Sequence, residues 1–127
     1  ENVDDISRRA YDTLWRATEA GISAARPGIS CKDLFQSMQN VISEMDDQGG
    51  EVGRYGHGLG MQLTEWPSHA TFDKTVLEEN MVITLEPSLN YGEGRIMVHE
   101  ENLVVQNGAP RLLSVRAEPE IPIIGFS

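Results

Sequence analysis

Apolar residues recur at helical spacing in the first part of the chain. From Val3 to about Ala25 they alternate with polar and charged residues, so that one side of a helix would be apolar. The apolar positions are Ile6, Ala10, Leu14 and Ala17. This pattern predicts an amphipathic helix that ends at the turn Arg26-Pro27-Gly28.

A second helix is predicted to begin after Ser30. Three residues after this hydroxyl comes Asp33, an arrangement typical of a capping box at a helix start. Apolar residues again recur at helical spacing, at Leu34, Met38, Val41, Ile42 and Met45. The polar and glycine-rich segment 46–50 is the predicted end of this helix.

Beyond residue 50 the pattern changes to short apolar runs, rich in Val and Ile, between Gly, Asn and Pro turns. These runs predict strands near 59–64, 81–86, 95–106 and 111–115. Two helices followed by several strands predict an α+β fold, with the helices packed on one face of a mainly antiparallel sheet. A chain of 127 residues, 39% of them hydrophobic, is expected to form a single unit.

The charge balance narrows the range of partners. With 20 acidic against 10 basic residues the formal charge is -10, which argues against nucleic acid or an anionic membrane surface as a partner. No apolar run approaches the roughly 20 residues of a membrane span. The single cysteine, Cys31, excludes an internal disulfide and fits a reducing compartment, so we expect a cytoplasmic protein.

An imidazole and a carboxylate stand at positions suited to metal binding or catalysis. In Gly56-His57-Gly58 the flanking glycines let the backbone turn sharply and leave the ring approachable, although a histidine that bonds to its own turn fits equally well. Glu86 ends an apolar run, on the same strand face as Thr84. An acid on that face needs a cation or hydrogen bonds, unless it is simply exposed at a strand end.

A polar cluster interrupts the predicted strand 95–106. Alternation puts Glu100 on the face of Val98 and puts Glu101 on the opposite face with Leu103, so periodicity alone does not choose between the two glutamates. Charges on an exposed edge strand would explain the cluster as well. Together with an imidazole, two carboxylates from neighbouring strands form a ligand set that suits Mn, Fe, Co or Zn used to activate water.

In order and approximate spacing, these motifs resemble those of the pita-bread metallohydrolases, the family of methionine aminopeptidases, prolidases, Xaa-Pro aminopeptidases and creatinases. The matching segments are Gly56-His57-Gly58-Leu59-Gly60, Glu65 with Pro67, Thr84-Leu85-Glu86-Pro87 and Val98-His99-Glu100-Glu101-Asn102. The segment Arg26-Pro27-Gly28-Ile29 also looks like the family's turn between helices. The resemblance covers roughly the second half of the chain and implies the second half of a pita-bread fold.

The resemblance also implies a site and a function. It implies that His57 and Glu86 bind one divalent ion and that Glu100 bridges two ions. The implied enzyme is a hydrolase of the Xaa-Pro peptidase type, which cleaves a peptide or small amide bond with metal-activated water. A homodimer is expected from the habit of the family and from the apolar surface that a missing half would leave exposed.

Two departures from the family pattern qualify this expectation. The family's two aspartate ligands come from strands upstream of the first helix, so residues 1–127 are expected to be the C-terminal part of a catalytic domain. Thr64 stands where the peptidases have a second histidine, before Glu65, and His69 lies five residues further on and could substitute for it. Thr64, Glu65 and His69 are the candidate catalytic residues.

The threonine leaves other activities open. A hydroxyl donates a hydrogen bond but carries no positive charge. The alternatives are a creatinase-like or ectoine-hydrolase-like C–N hydrolase, or a catalytically inactive binding protein of the same fold.

Overall fold

The computed structural model describes residues 2–46 and 53–125. The first helix, α1, spans Asp5–Ala24. Asp4 caps it, since its Oδ1 accepts a hydrogen bond from the backbone N–H of Ser7 at 2.8 Å. On its apolar face Ala10, Leu14 and Ala17 are fully buried, whereas Ile6 near the start of the helix is 39% exposed. The predicted amphipathic helix is confirmed.

The second helix, α2, spans Cys31–Ile42. Ser30 caps it as predicted, because its Oγ accepts a hydrogen bond from the backbone N–H of Asp33 at 3.0 Å. The helix ends at Ile42, before the predicted terminal segment, of which residues 47–50 lie outside the described part of the chain. Both helices pack over the face of the sheet that carries Ile83, Leu85 and Leu103.

Within the described residues the main sheet has five strands: β1 His57–Gly58, β2 Glu65–Ser68, β3 Val82–Leu85, β6 Glu101–Val104 and β7 Arg111–Leu112. A separate hairpin consists of β4 Ser88–Gly92 and β5 Arg95–Val98. The main sheet is antiparallel, with the strands in the order β2-β1-β3-β6-β7. The α+β class and the antiparallel sheet agree with the sequence prediction.

Two strand predictions were wrong in detail. Residues 59–64 form a loop between β1 and β2, in which Met61 and Leu63 are 100% and 83% exposed, so no partner strand or core covers them. The predicted strand 95–106 is two strands, β5 and β6, that belong to different sheets. The chain leaves one sheet at His99, whose N–H donates to the Pro87 carbonyl at 3.1 Å. Runs 81–86 and 111–115 correspond to β3 and β7.

Among the described residues, neither helix is long and apolar enough to cross a membrane.

Candidate metal centre

The register between β3 and β6 brings two carboxylates together. Thr84 pairs with Asn102 and Leu85 pairs with Glu101, so one step further along the same register Glu86 stands opposite Glu100. Side chains alternate in direction along a strand, so Thr84, Glu86, Glu100 and Asn102 share one face. All of them line a cavity of about 420 Å³, which is also bordered by His57.

His57 and Glu86 are in direct contact, with Nε2 of the ring 2.9 Å from Oε2 of the carboxylate. Nδ1 of the ring lies 2.7 Å from the Gly58 carbonyl, which accepts a hydrogen bond when Nδ1 carries the proton. In a neutral ring Nε2 then presents a lone pair to the carboxylate. Two electron-pair donors at this distance need a proton or a cation near both of them.

Thr84 links these two side chains. Its Oγ1 accepts a hydrogen bond from the backbone N–H of His57 at 3.1 Å and donates one to Oε2 of Glu86 at 3.0 Å. The hydroxyl thus orients the same oxygen that faces the imidazole. Supporting contacts of this kind, from a residue behind a ligand, are typical of metal sites.

The glycines around His57 are required by the close approach of neighbouring strands. Gly56 has a φ of 133°, and a Cβ there would lie 2.2 Å from the Thr84 carbonyl oxygen. A Cβ on Gly58 would lie 2.4 Å from the carbonyl oxygen of Trp66. A side chain at Gly56 would therefore push the turn away from β3, and one at Gly58 would push β1 away from β2. Either shift would displace His57.

Glu100 and Asn102 bring further polar atoms to the cavity. Partial burial raises the pKa of Glu100, and repulsion from Glu86 raises it further, while His57 acts in the opposite direction. Asn102 Oδ1 is buried and has no hydrogen-bond partner among the described residues. An orphaned oxygen beside two facing carboxylates is the arrangement that a cation would satisfy.

The residues present fit part of a metal site. Nitrogen and oxygen donors from His57, Glu86 and Glu100 are the types that Mn, Fe, Co and Zn accept. Within residues 2–46 and 53–125, however, no three His, Cys, Asp or Glu side chains are grouped closely enough to hold an ion. That His57, Glu86 and Glu100 bind metal, and that further ligands complete the site, both stay predictions.

The three candidate catalytic residues lie in different surroundings. Thr64 is exposed and lines the cavity. Glu65 lies outside the cavity lining, and its Oε1 accepts a hydrogen bond from the N–H of Gln62 at 2.9 Å, which fixes the loop that carries Thr64. His69 is 0% exposed and also lies outside the lining, a placement that does not support direct contact with a substrate.

Sequence reasoning missed three polar residues of the cavity wall, Arg54, Ser88 and Asn102. Asn102 was part of a recognised motif, and its position two residues after Glu100, on the same strand face, was the available signal. Arg54 brings a cationic side chain to the wall, but nothing in its sequence context pointed to the site. Glu101, the glutamate that periodicity could not separate from Glu100, is buried on the opposite face.

Comparison with known proteins identifies the family. Residues 2–107 match the metallopeptidase family M24. The Xaa-Pro dipeptidase of Pyrococcus furiosus is 33% identical over 116 residues, which are 91% of this chain and 33% of that protein. The crystal structure of X-Pro aminopeptidase from Thermotoga maritima MSB8 superposes with a TM-score of 0.81 at 26% identity, covering 91% of this chain and 33% of that one.

Prolidase from Pyrococcus furiosus superposes with a TM-score of 0.82 at 27% identity, over 92% of this chain and 35% of that one. The chain belongs to metallopeptidase family M24 and has the pita-bread fold. It spans about one third of the length of the relatives that it matches.

Proposed function

We propose that this chain supplies the C-terminal side of the active site of a metal-dependent hydrolase of the Xaa-Pro peptidase type. The observation that carries the proposal is the contact between His57 and Glu86 in a cavity that Glu100 also lines. Family membership supports the same function, since two relatives that are 33% identical to this chain are named Xaa-Pro dipeptidase. The substrate would be a peptide or a small amide.

His57 and Glu86 would hold one divalent ion, and Glu100 would bridge to a second. Bound Mn, Fe, Co or Zn would activate water at neutral pH and polarise the scissile carbonyl. The chain's own residues orient the ligands: Thr84 directs Glu86 toward His57, and the Gly58 carbonyl holds the proton of His57 on Nδ1. Thr64, on the exposed side of the cavity, is placed to donate a hydrogen bond to the substrate.

The remaining ligands would be two aspartates from a segment upstream of α1, in accordance with the family pattern. Residues 1–127 would then be the C-terminal part of the catalytic domain. We further propose that the intact protein is a cytoplasmic homodimer. Exposed apolar side chains on β5, Ile96 and Val98, are compatible with a covering partner or domain.

One observation favours a second candidate, a creatinase-like or ectoine-hydrolase-like C–N hydrolase, or an inactive binding protein. Thr64 occupies the cavity wall where the peptidases carry a histidine. A neutral hydroxyl stabilises developing negative charge on a cleaved peptide carbonyl less than an imidazolium does. A substrate with a cationic or guanidino group near the scissile bond would depend less on that residue.

The test is metal binding and hydrolysis by the full-length protein. Calorimetric titration with Mn²⁺ should give binding that Glu86→Gln weakens at least tenfold, roughly the smallest effect of changing a metal site's support. Glu93→Gln, an exposed glutamate at the β4-β5 turn, is the matched control and should bind as the wild type does.

Activity on Xaa-Pro dipeptides, compared with cyclic and guanidino amides, separates the two candidate functions. Cleavage of the dipeptides supports the peptidase. Cleavage of the amides alone supports the C–N hydrolase. Equal Mn²⁺ binding by wild type and Glu86→Gln, with no hydrolysis of either substrate, would overturn both hydrolase functions and leave the inactive binding protein.

A further inference from the structure

His69 is a buried histidine with no evident structural partner for its ring. The side chain is fully buried, and burial lowers its pKa to about 4, so the ring is neutral at neutral pH. Neither Nδ1 nor Nε2 reaches hydrogen-bond geometry with any residue in the described parts of the chain. Burying a polar ring without partners costs free energy, and an apolar side chain would fill the space without that cost.

The backbone of His69 is tied to the residues just before His57. Its N–H donates to the Gly56 carbonyl at 3.0 Å, and its carbonyl accepts from the N–H of Tyr55 at 2.9 Å. These bonds hold the end of β2 against the turn that presents His57. The position of the imidazole is thereby fixed beneath the glycine turn.

The ring itself lies against Gly56 and the end of β3. A Cβ built on Gly56 would be 2.7 Å from Cδ2 of His69 and 2.2 Å from the carbonyl oxygen of Thr84, so ring edge and carbonyl flank the same point. The Thr84 backbone beside the ring acts to raise the pKa of His69, against the larger lowering by burial. The Thr84 carbonyl is therefore the acceptor that a ring N–H would meet if the ring moved toward it.

Thr84 is also the residue that connects His57 with Glu86 through its hydroxyl. We propose that His69 is a positioning residue: its ring moves toward Thr84 and donates an N–H to the Thr84 carbonyl, so that the Thr84 hydroxyl aligns Glu86 with His57. This inference rests on the proposed function of that pair. His69 acts from behind the cavity, and this role replaces substrate contact as our hypothesis for the residue.

Two pairs of substitutions test the role in the full-length protein. His69→Asn and His69→Leu have nearly the same shape, as do His69→Gln and His69→Met, and within each pair only the first retains an N–H donor. We expect Mn²⁺ affinity, measured by calorimetry, to fall about tenfold or more in His69→Leu and His69→Met. At least one of His69→Asn and His69→Gln should keep an affinity within about threefold of the wild type, a smaller change than the loss of a supporting residue causes.

A second measurement on the metal-free protein separates this inference from the proposed function. Long-range ¹H–¹⁵N spectra should show His57 with its proton on Nδ1 in the wild type and in the rescued polar variant, and a mixture of both tautomers in the apolar variants. This readout stands even if the wild type binds no metal, a result that would sink only the proposed function.

Leu34→Ala, a core change in α2, controls for loss of stability and should leave the His57 spectrum unchanged. The inference is overturned if polar and apolar variants have the same affinity and the same His57 spectrum. Failure of both apolar variants to fold, while both polar variants fold but lose the His57 signature, would also overturn it.

Discussion

Glu100 and Glu101 are neighbours in sequence but lie in two regions with opposite character. Glu100 faces the cavity, where partial burial and then repulsion from Glu86 raise its pKa. Glu101 is 5% exposed on the other face, and its Oε1 accepts a hydrogen bond from the N–H of Ala117 at 3.1 Å. Glu100 thus has a like-charged neighbour, whereas Glu101 binds the backbone of the segment that follows β7.

The surroundings of Glu101 continue this contrast. The segment after β7 runs along α1, where Tyr11 donates to the Glu118 carbonyl at 2.7 Å and Trp15 donates to the Ala117 carbonyl at 2.9 Å. The guanidinium of Arg116 lies 4.0 Å from the centre of the Trp15 ring. In this region polar groups anchor a terminal segment. Around Glu100, in contrast, two carboxylates repel each other and the Asn102 oxygen lacks a hydrogen-bond partner among the described residues. Incomplete compensation is what distinguishes a candidate functional site from a structural contact.

The largest expected effect, which tests the contrast between Glu100 and Glu101, is on hydrolytic activity. In the full-length protein we expect Glu100→Gln to lower kcat/KM at least about a hundredfold, the upper end of what loss of a supporting residue costs a metal site. The midpoint of thermal unfolding should not fall, because the substitution removes the repulsion from Glu86 and exposes no buried donor. Steady-state kinetics and thermal denaturation measure the two quantities.

Glu101→Gln is the matched control, since the amide oxygen can still accept from Ala117. It should retain kcat/KM within about threefold, a difference of well under 1 kcal/mol. If Glu101→Gln lost more activity than Glu100→Gln, the assignment of the two faces would be wrong.

The two helices could be predicted because their signals are local. Helical spacing and the cap at Ser30 lie within a few residues, and the structure reproduces both. The loop 59–64 was mistaken for a strand because apolar residues such as Leu63 look alike in sequence whether they face a core or an open cavity. Sequence cannot distinguish these cases without knowledge of the partner surface.

The site was predictable only in part for the same reason. His57, Glu86 and Glu100 were named through family motifs, but the meeting of Glu86 with Glu100 depends on the register of β3 against β6, which non-local packing sets. The split of run 95–106 between two sheets has no local signal either. The burial of His69 beneath Gly56 follows from another non-local pairing, that of β1 with β2.

A second, smaller effect concerns pH and the buried histidine behind the cavity. The unfolded chain binds a proton at His69 below about 6.5, whereas burial lowers the folded pKa to about 4. The unfolded state therefore holds more protons between these values, and the stability present above pH 6.5 is lost as the pH falls toward 4. At about 1.4 kcal/mol per pH unit the full difference is roughly 3 kcal/mol.

Urea denaturation at several pH values between 7 and 4 measures this loss, and His69→Met should remove the part that belongs to His69. His99, whose pKa is also lowered by burial, contributes in the same direction and remains in the variant as an internal reference. An unchanged pH dependence in His69→Met would mean that water reaches the His69 ring in solution.

The smallest effect is expected where Glu101 fastens the terminal segment. Glu101→Leu removes the acceptor for the Ala117 N–H and should lower the free energy of unfolding by about 1 kcal/mol, within the usual range for one hydrogen bond. A larger loss is not expected, because Ala117 is exposed and water can replace the carboxylate. Glu101→Gln should cost less than Glu101→Leu. Urea denaturation at pH 7 measures the free energy of unfolding of both variants. Proteolysis of the 113–125 segment should be faster in Glu101→Leu but not in Glu101→Gln. Equal behaviour of the two variants would show that burial of the side chain, rather than its hydrogen bond, holds the segment to β6.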